Sequence, residues 1–269
     1  MVRLIISLLV INFSVYFIYG QEVDYVISDP SKIEKKNFKT PDNSDSTLIP
    51  NPDYTAYFLS QTAYTLKKKK IRLSGTDVLF MKGSYGLTDN MMVSLNLSAF
   101  GTITASLKQQ ITLSDAIKVA ISGTGGLVFF APGDSLSQRN DTAIYMGGGQ
   151  AMFTLGDKQD NITAGMGLYY IHSDFDLSGN GKKDILVNNI FVGFQKQLGK
   201  KLYIIAEGMY FINYQVFTGA IGVKLVMGDR IALNFGLMPF GWNNPGTNQT
   251  DVLPVAIPLI SFRLLLGKN

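Results

Sequence analysis

The sequence predicts an all-β fold: a transmembrane antiparallel up-and-down β-barrel of about twelve strands, with a cleaved N-terminal signal peptide. Three observations support this class. From Tyr54 onward, apolar residues recur at every second position over many stretches of ten to sixteen residues. The connections between these stretches alternate between short polar turns and longer loops. Charged residues make up only 16% of the 269 residues, and no apolar run is long enough for a transmembrane helix.

The amino-terminal 53 residues carry no strand pattern. Met1-Val2-Arg3 precedes an apolar run of 16 residues that ends at Tyr19, and Gly20 is a small residue at the expected cleavage point, so residues 1–20 are expected to be a signal peptide. Residues 21–53 hold four prolines among charged and small polar residues, which predicts a flexible polar periplasmic leader. Residues 54–269 are expected to form the outer-membrane barrel.

Turn residues divide the barrel region into twelve expected strands. Their bounds are 54–66, 71–86, 91–100, 103–113, 117–131, 142–155, 161–172, 185–198, 201–212, 214–227, 231–241 and 253–266. The long loops 132–141, 173–184 and 242–252 all fall on one side, as external loops of an outer-membrane barrel do. An even number of strands then leaves both termini in the periplasm of a Gram-negative bacterium. With this strand count, the run Lys67 to Lys70 lies outside, where it could meet lipopolysaccharide phosphates, although a charged turn kept out of lipid is the preferred account.

Two short motifs near the start of the barrel region connect the sequence to a known group. They are Ala63-Tyr64-Thr65-Leu66-Lys67-Lys68 and Tyr85-Gly86-Leu87-Thr88-Asp89-Asn90. The stretch from Tyr57 to Ser98 that contains them resembles a family of uncharacterised outer-membrane β-barrel proteins of the Bacteroidetes. The resemblance implies the barrel and an outer-membrane location, and its motifs are structural rather than catalytic.

The inward face of the expected strands carries the remaining functional candidates. Lys or Arg facing lipid near the bilayer midplane costs about 2–4 kcal/mol, so strands that carry charge should turn it to the lumen. The polar residues that alternation places inward are Lys108, Lys118, Gln150, Glu207, Lys224 and Arg263. Cations outnumber the single acid in this set, which predicts a narrow passive pore with mild anion preference. A packed lumen would use the same charges as a buried network, and would suit a structural partner in an envelope protein complex. The formal net charge is only +4, and the basic residues show no cluster of the kind that binds nucleic acid.

Enzymatic chemistry finds little support in the residue types. Gly133-Asp134-Ser135-Leu136 matches the nucleophile block of a hydrolase family, but that chemistry needs a base, and His172 is the sole histidine. The chain has no cysteine, so it has neither a thiol nucleophile nor a zinc–thiolate site. The expectation is therefore no enzyme. An outer-membrane hydrolase using the Ser135 loop and a secreted soluble β-sandwich binding protein are the alternatives.

One loop carries a pattern of oxygen side chains that suits calcium. Asp176, Ser178, Asn180 and Asp184 alternate around a glycine turn, as ligands of a calcium loop do. The twelfth position counted from Asp176 is Val187 instead of the closing bidentate Glu. An ordinary Asx/Gly turn is the other interpretation, and no further cofactor is indicated.

Overall fold

The computed structural model describes residues 51–77, 80–99, 101–129, 143–173, 183–244 and 249–267. The expected signal peptide and most of the expected leader, residues 1–50, lie outside the described residues. No helix in the described part of the chain is long and apolar enough to cross a membrane.

Twelve antiparallel strands form one closed barrel. Their bounds are β1 Ile71–Thr76, β2 Phe80–Thr88, β3 Met91–Ser98, β4 Thr102–Thr112, β5 Ile117–Phe129, β6 Ala143–Gly156, β7 Asn161–Ser173, β8 Asp184–Gln197, β9 Leu202–Phe211, β10 Val216–Met227, β11 Ile231–Asn244 and β12 Gln249–Leu266. Each strand pairs with its neighbours in sequence, and β1 pairs with β12 to close the wall. The predicted up-and-down barrel of about twelve strands is confirmed.

The barrel is apolar outside and polar inside. On β4, the side chains of Ile103, Leu107 and Ile111 are exposed on the outer surface, whereas Lys108 and Gln110 on the alternate face are buried in the lumen. This inverts the pattern of a water-soluble barrel and matches a wall that faces lipid. Closure leaves no unpaired edge strand, so the backbone polar groups of the wall are satisfied within the hydrocarbon region.

The two ends of the barrel differ. One end, here called the tight-turn end, holds the short connections 89–90, 113–116, 157–160, 198–201 and 228–230. The opposite end, here called the long-loop end, holds 130–142 and 245–248, both outside the described residues, and the connection before β8. Ile71 and Leu266 pair at the tight-turn end, so the wall starts and finishes there.

The prediction of a strand at 54–66 is wrong, because these residues lie inside the barrel. The single strand predicted at 71–86 is instead two strands, β1 and β2, and the chain reverses between them at Asp77, whose φ is 50°. Because one strand is lost and one is gained, the total of twelve is preserved.

The change moves the lysine run 67–70 to the other end of the barrel. The backbone N–H of Lys68 donates to Asp89 Oδ1 (3.0 Å), and Asp89 belongs to a tight turn. The expectation that this run lies with the long loops is therefore wrong, because residues 54–66 return to the end at which they enter.

Residues 51–66 form a compact segment within the lumen, here called the lumenal hairpin. It enters at the tight-turn end, where Asn51 Nδ2 donates to the carbonyl of Lys158 (3.0 Å). It reverses through a bridge between Ala56 and Gln61 and returns to the same end. The expected leader thus ends inside the barrel, since its residues 51–53 are part of this segment.

Candidate functional site: the lumen and its hairpin

A single buried carboxylate ties the lumenal hairpin to the barrel wall. Asp53 is fully buried and lies 3.3 Å from Arg72 Nη1, 3.3 Å from Lys224 Nζ and 3.4 Å from Arg263 Nε. Asn234 Nδ2 also donates to its Oδ2 (3.4 Å). These four partners come from β1, β10, β12 and β11, so one side chain joins four strands across the closure of the barrel.

The three cations around Asp53 also bind the hairpin backbone and its neighbours. Lys224 Nζ donates to the Asp53 carbonyl (2.9 Å) and to Gln195 Oε1 (2.6 Å). Arg263 Nη2 donates to the carbonyl of Tyr57 (3.3 Å). With three cations facing one carboxylate, the cluster keeps a formal excess of two positive charges.

The electrostatics of this cluster favour an ionised Asp53. Burial by itself would raise the pKa of the Asp53 carboxyl. The positive charges of Lys224, Arg263 and Arg72 outweigh burial, and they hold that pKa below its ordinary value. Asp53 therefore stays charged at neutral pH.

A second carboxylate holds the tip of the hairpin. Glu207 on β9 accepts the backbone N–H of Leu59 at Oε1 (2.6 Å), and at Oε2 it accepts the N–H (2.8 Å) and hydroxyl (2.5 Å) of Ser60. Hydrogen bonds to a charged acceptor are roughly twice as strong as neutral ones. The hairpin is thus fastened near its entrance by Asp53 and at its tip by Glu207.

Aromatic side chains of the hairpin fit against glycines of the wall. The Tyr57 hydroxyl donates to Asn161 Oδ1 (2.6 Å), and its ring lies where a Cβ at Gly193 would be. A Cβ at Gly236 would come within 2.6 Å of the Phe58 ring. These two inward glycines therefore leave the space that the hairpin rings occupy.

The returning arm of the hairpin is bound to the wall as well. Lys108 Nζ donates to the carbonyl of Thr62 (3.1 Å), and the N–H of Ala63 donates to Thr154 Oγ1 (2.8 Å). The N–H of Thr65 donates to Gln110 Oε1 (2.9 Å). The lumen near the tight turns is therefore packed with side chains instead of forming a water channel.

Above the hairpin tip, toward the long loops, the lumen holds a cavity of about 390 Å³. Its floor is formed by Phe58, Leu59 and Ser60 of the hairpin, and Arg72 and Lys82 lie in its wall. The cavity is therefore basic at one side and closed below by the hairpin.

The sequence-predicted lumenal residues fall into three groups in the structure. Lys108, Glu207, Lys224 and Arg263 contact the hairpin, as described above. Lys118 lies at the tight-turn end, where its ammonium donates to the carbonyls of Ser114 and Asp115. Gln150 lies on the inward face of β6, in the same alternation as the buried Met152 and Thr154.

The other predicted site residues are largely outside the described residues. Ser135, Asp176, Ser178 and Asn180 lie there, so the hydrolase and calcium hypotheses stay predictions. Asp184 begins β8, where its Oδ1 accepts from the Tyr170 hydroxyl (2.5 Å) and lies 2.7 Å from His172 Nδ1.

Three lumenal residues were not predicted from the sequence. Asp53 was part of the expected leader, and Arg72 and Lys82 were part of one long expected strand. A signal for Arg72 was available in the sequence. Arg72 and Ser74 alternate with the apolar residues Ile71 and Leu73, so Arg72 faces the lumen if Ile71 and Leu73 face lipid.

Comparison with known proteins identifies barrels of similar form. The sequence matches no protein-family model and no curated protein sequence. The structure is similar to the NanC porin, with 12% identity, 73% of this chain and 97% of that chain covered, and a TM-score of 0.41. It is also similar to the KdgM porin in complex with disordered oligogalacturonate, with 8% identity, 72% and 96% coverage and a TM-score of 0.40. A third similar structure is Omp33 of Acinetobacter baumannii, with 9% identity, 72% of this chain and 95% of that chain covered, and a TM-score of 0.34.

Proposed function

We propose that this chain is a non-enzymatic outer-membrane β-barrel that forms a narrow anion-preferring pathway, held nearly closed by its own lumenal hairpin. The observation that carries this proposal is the lumen itself, where Arg72, Lys224 and Arg263 surround one hairpin carboxylate. The sign of the charge that lines a narrow pore sets the barrier for each ion. The excess of cations therefore favours anions once the hairpin yields.

The orientation that we propose places the tight-turn end in the periplasm. Outer-membrane barrels have short periplasmic turns and longer external loops. Residue 51 and the end of β12 are then both periplasmic, and the cavity above the hairpin faces outward. The apolar outer wall is expected to contact outer-membrane lipid and lipopolysaccharide.

Planar-bilayer recordings test the pathway. Wild-type protein is expected to show small, infrequent conductance, because the hairpin packs the periplasmic half of the lumen. A double variant Asp53→Asn/Glu207→Gln removes both fastening charges and should show larger, frequent openings with anion preference. Asp115→Asn, at an exposed tight turn, is the matched control. A folded double variant that passes no current, or that selects cations, contradicts the proposal.

A charge reversal separates selectivity from hairpin fastening. Lys224→Glu would set a second carboxylate beside Asp53, so we expect it to displace the hairpin instead of only reversing selectivity. Lys82 lines the cavity, and its ammonium makes no hydrogen bond to the hairpin among the described residues. Lys82→Glu should therefore leave the hairpin of the wild-type protein in place, and in the double variant it should weaken or reverse the anion preference.

If neither the wild type nor a variant with a demonstrably displaced hairpin conducts current in planar bilayers, a different role is supported. The barrel would then serve as a structural partner in an envelope protein complex, and the lumenal charges would act as a buried network.

A further inference from the structure

The cavity above the hairpin has a polar row that crosses five neighbouring strands. The register aligns Arg263 of β12, Ser74 of β1, Lys82 of β2, Asn96 of β3 and Thr104 of β4. All five line the cavity. Directly paired residues on one face have Cβ atoms about 4.5–5.5 Å apart, so the row presents closely spaced donors along one wall.

Lys82 is the unused cation of this row. It is half-buried in the cavity wall, and its ammonium makes neither a hydrogen bond nor an ion pair among the described residues. Arg263 and Arg72, by contrast, already contact Asp53. An ammonium turned into a confined, partly desolvated cavity interacts strongly with an anion, because the local dielectric constant is below that of water.

The surroundings of Lys82 restrict the class of ligand. Arg72 Nε is buried and has no hydrogen-bond partner among the described residues, so basic donor capacity remains beside Lys82. Asn96 and Thr104 supply neutral polar groups, and Tyr169 and Phe58 supply ring surface across the cavity. A volume of about 390 Å³ is within the range of small-molecule sites.

We propose that this cavity binds a small hydroxylated carboxylate, with its carboxylate on Lys82 and its hydroxyl groups on the neighbouring polar row. The assignment rests on the basic lumen of the proposed function, but it requires binding alone and no conduction. The ligand would enter from the long-loop end, because Thr76, Ser98 and Thr102 line the cavity next to the connections at that end.

Equilibrium binding to the detergent-solubilised full chain tests the site. Gluconate and sorbitol form a matched pair, since both are six-carbon polyols and only gluconate carries a carboxylate. Calorimetric titration should give at least about tenfold tighter binding of gluconate than of sorbitol, equivalent to about 1.4 kcal/mol. Inorganic phosphate, titrated in parallel, shows whether the anion alone is sufficient.

Variants of Lys82 supply the specific test. Lys82→Met should reduce gluconate affinity at least about tenfold, and Lys82→Arg should retain most of it, because the positive charge is kept. Lys68→Met, at the exposed tight-turn end, should have no effect. Equal gluconate affinity in wild type and Lys82→Met, or equal affinity for gluconate and sorbitol in wild type, would overturn the assignment.

Binding and conduction can fail separately. Gluconate binding that depends on Lys82 in a barrel that passes no current would keep this site and contradict the pore. A conducting, anion-preferring double variant without gluconate binding would keep the pore and contradict this site.

Discussion

Neutralising Asp53 should release the lumenal hairpin while the barrel stays folded. The carboxylate makes ion pairs of 3.3, 3.3 and 3.4 Å. Removing one partner of a buried ion pair costs about 3–5 kcal/mol, because the remaining charge stays buried and uncompensated. At about 1.4 kcal/mol for each factor of ten, Asp53→Asn should raise the fraction of molecules with a displaced hairpin by about 10²- to 4 × 10³-fold.

Cysteine labelling measures this fraction, since the chain has no native cysteine. Ala63, on the returning arm, is fully buried, so Ala63→Cys should react slowly with a small thiol reagent. Adding Asp53→Asn should accelerate the reaction by the same factor. The barrel itself should still migrate as a folded, heat-modifiable species on a gel.

Two controls separate the ion cluster from general instability. Asp115→Asn should leave the labelling rate unchanged. Adding Lys224→Met to Asp53→Asn should slow the labelling again, because it removes one of the cations that lost its partner. If Ala63→Cys stays equally protected after Asp53→Asn, the cluster does not hold the hairpin and this reasoning is refuted.

The same cluster fixes the pH range of the closed state. Burial opposes ionisation of Asp53, but Lys224, Arg263 and Arg72 hold its pKa below the ordinary value. A lowered folded-state pKa gives stability that is complete above the ordinary Asp pKa of about 3.9, and that is lost as the pH falls through the lower folded value. The frequent, large openings expected of Asp53→Asn should therefore be absent from the wild type between neutral pH and about pH 5, and should appear only below about pH 4. Such large openings between neutral pH and about pH 5 would assign the closed state to another group.

Three further changes probe the hairpin and the orientation. Glu207→Gln should free the hairpin tip but not its entrance, so single-channel recordings should show brief partial openings, fewer than with Asp53→Asn. Gly193→Val should displace the Tyr57 ring, because even a Cβ overlaps it, and should raise conductance in a barrel that still folds; unchanged conductance would mean that the ring does not pack there. Asp229→Cys, in a tight turn, should react with an impermeant thiol reagent only after the cells are permeabilised, and reaction on intact cells would reverse the proposed orientation.

The wall of the barrel from β3 to β12 was predictable from sequence because its two signals coincide. Alternation marks each strand, and polar turns such as Asp157–Asp160 mark where it reverses. The start of the barrel was not predictable in this way. Residues 54–66 are rich in aromatics, as strands are. Their apolar side chains nevertheless pack inside the barrel, and this long-range outcome cannot be distinguished from a strand by local composition. The reversal at Asp77 follows Gly75-Thr76, a short polar turn signal that interrupts the alternation and that the expected strand 71–86 passed over.

The candidate site was predictable only in part, for a related reason. Lys108, Lys224 and Arg263 could be placed inward, since lipid would penalise their outward placement. That they bind a hairpin instead of water could not be inferred, because Asp53 lies 171 residues from Lys224 and 210 from Arg263 in sequence. Glu207 likewise meets Ser60 at a separation of 147 residues.

The position of Asp53 also has a consequence for how the barrel assembles. Its partners come from the first strand and the last three strands, so they meet only when β1 pairs with β12. The ion cluster around Asp53 therefore cannot be complete before this pairing. If β1 paired with β12 while the hairpin was outside the lumen, Arg72, Lys224 and Arg263 would be buried close together without a neutralising carboxylate. β1 contributes only six residues to that pairing. Insertion of the hairpin and sealing of the wall should thus occur as one cooperative event, with the chain's amino-terminal segment acting as an internal template for the last step of its own folding.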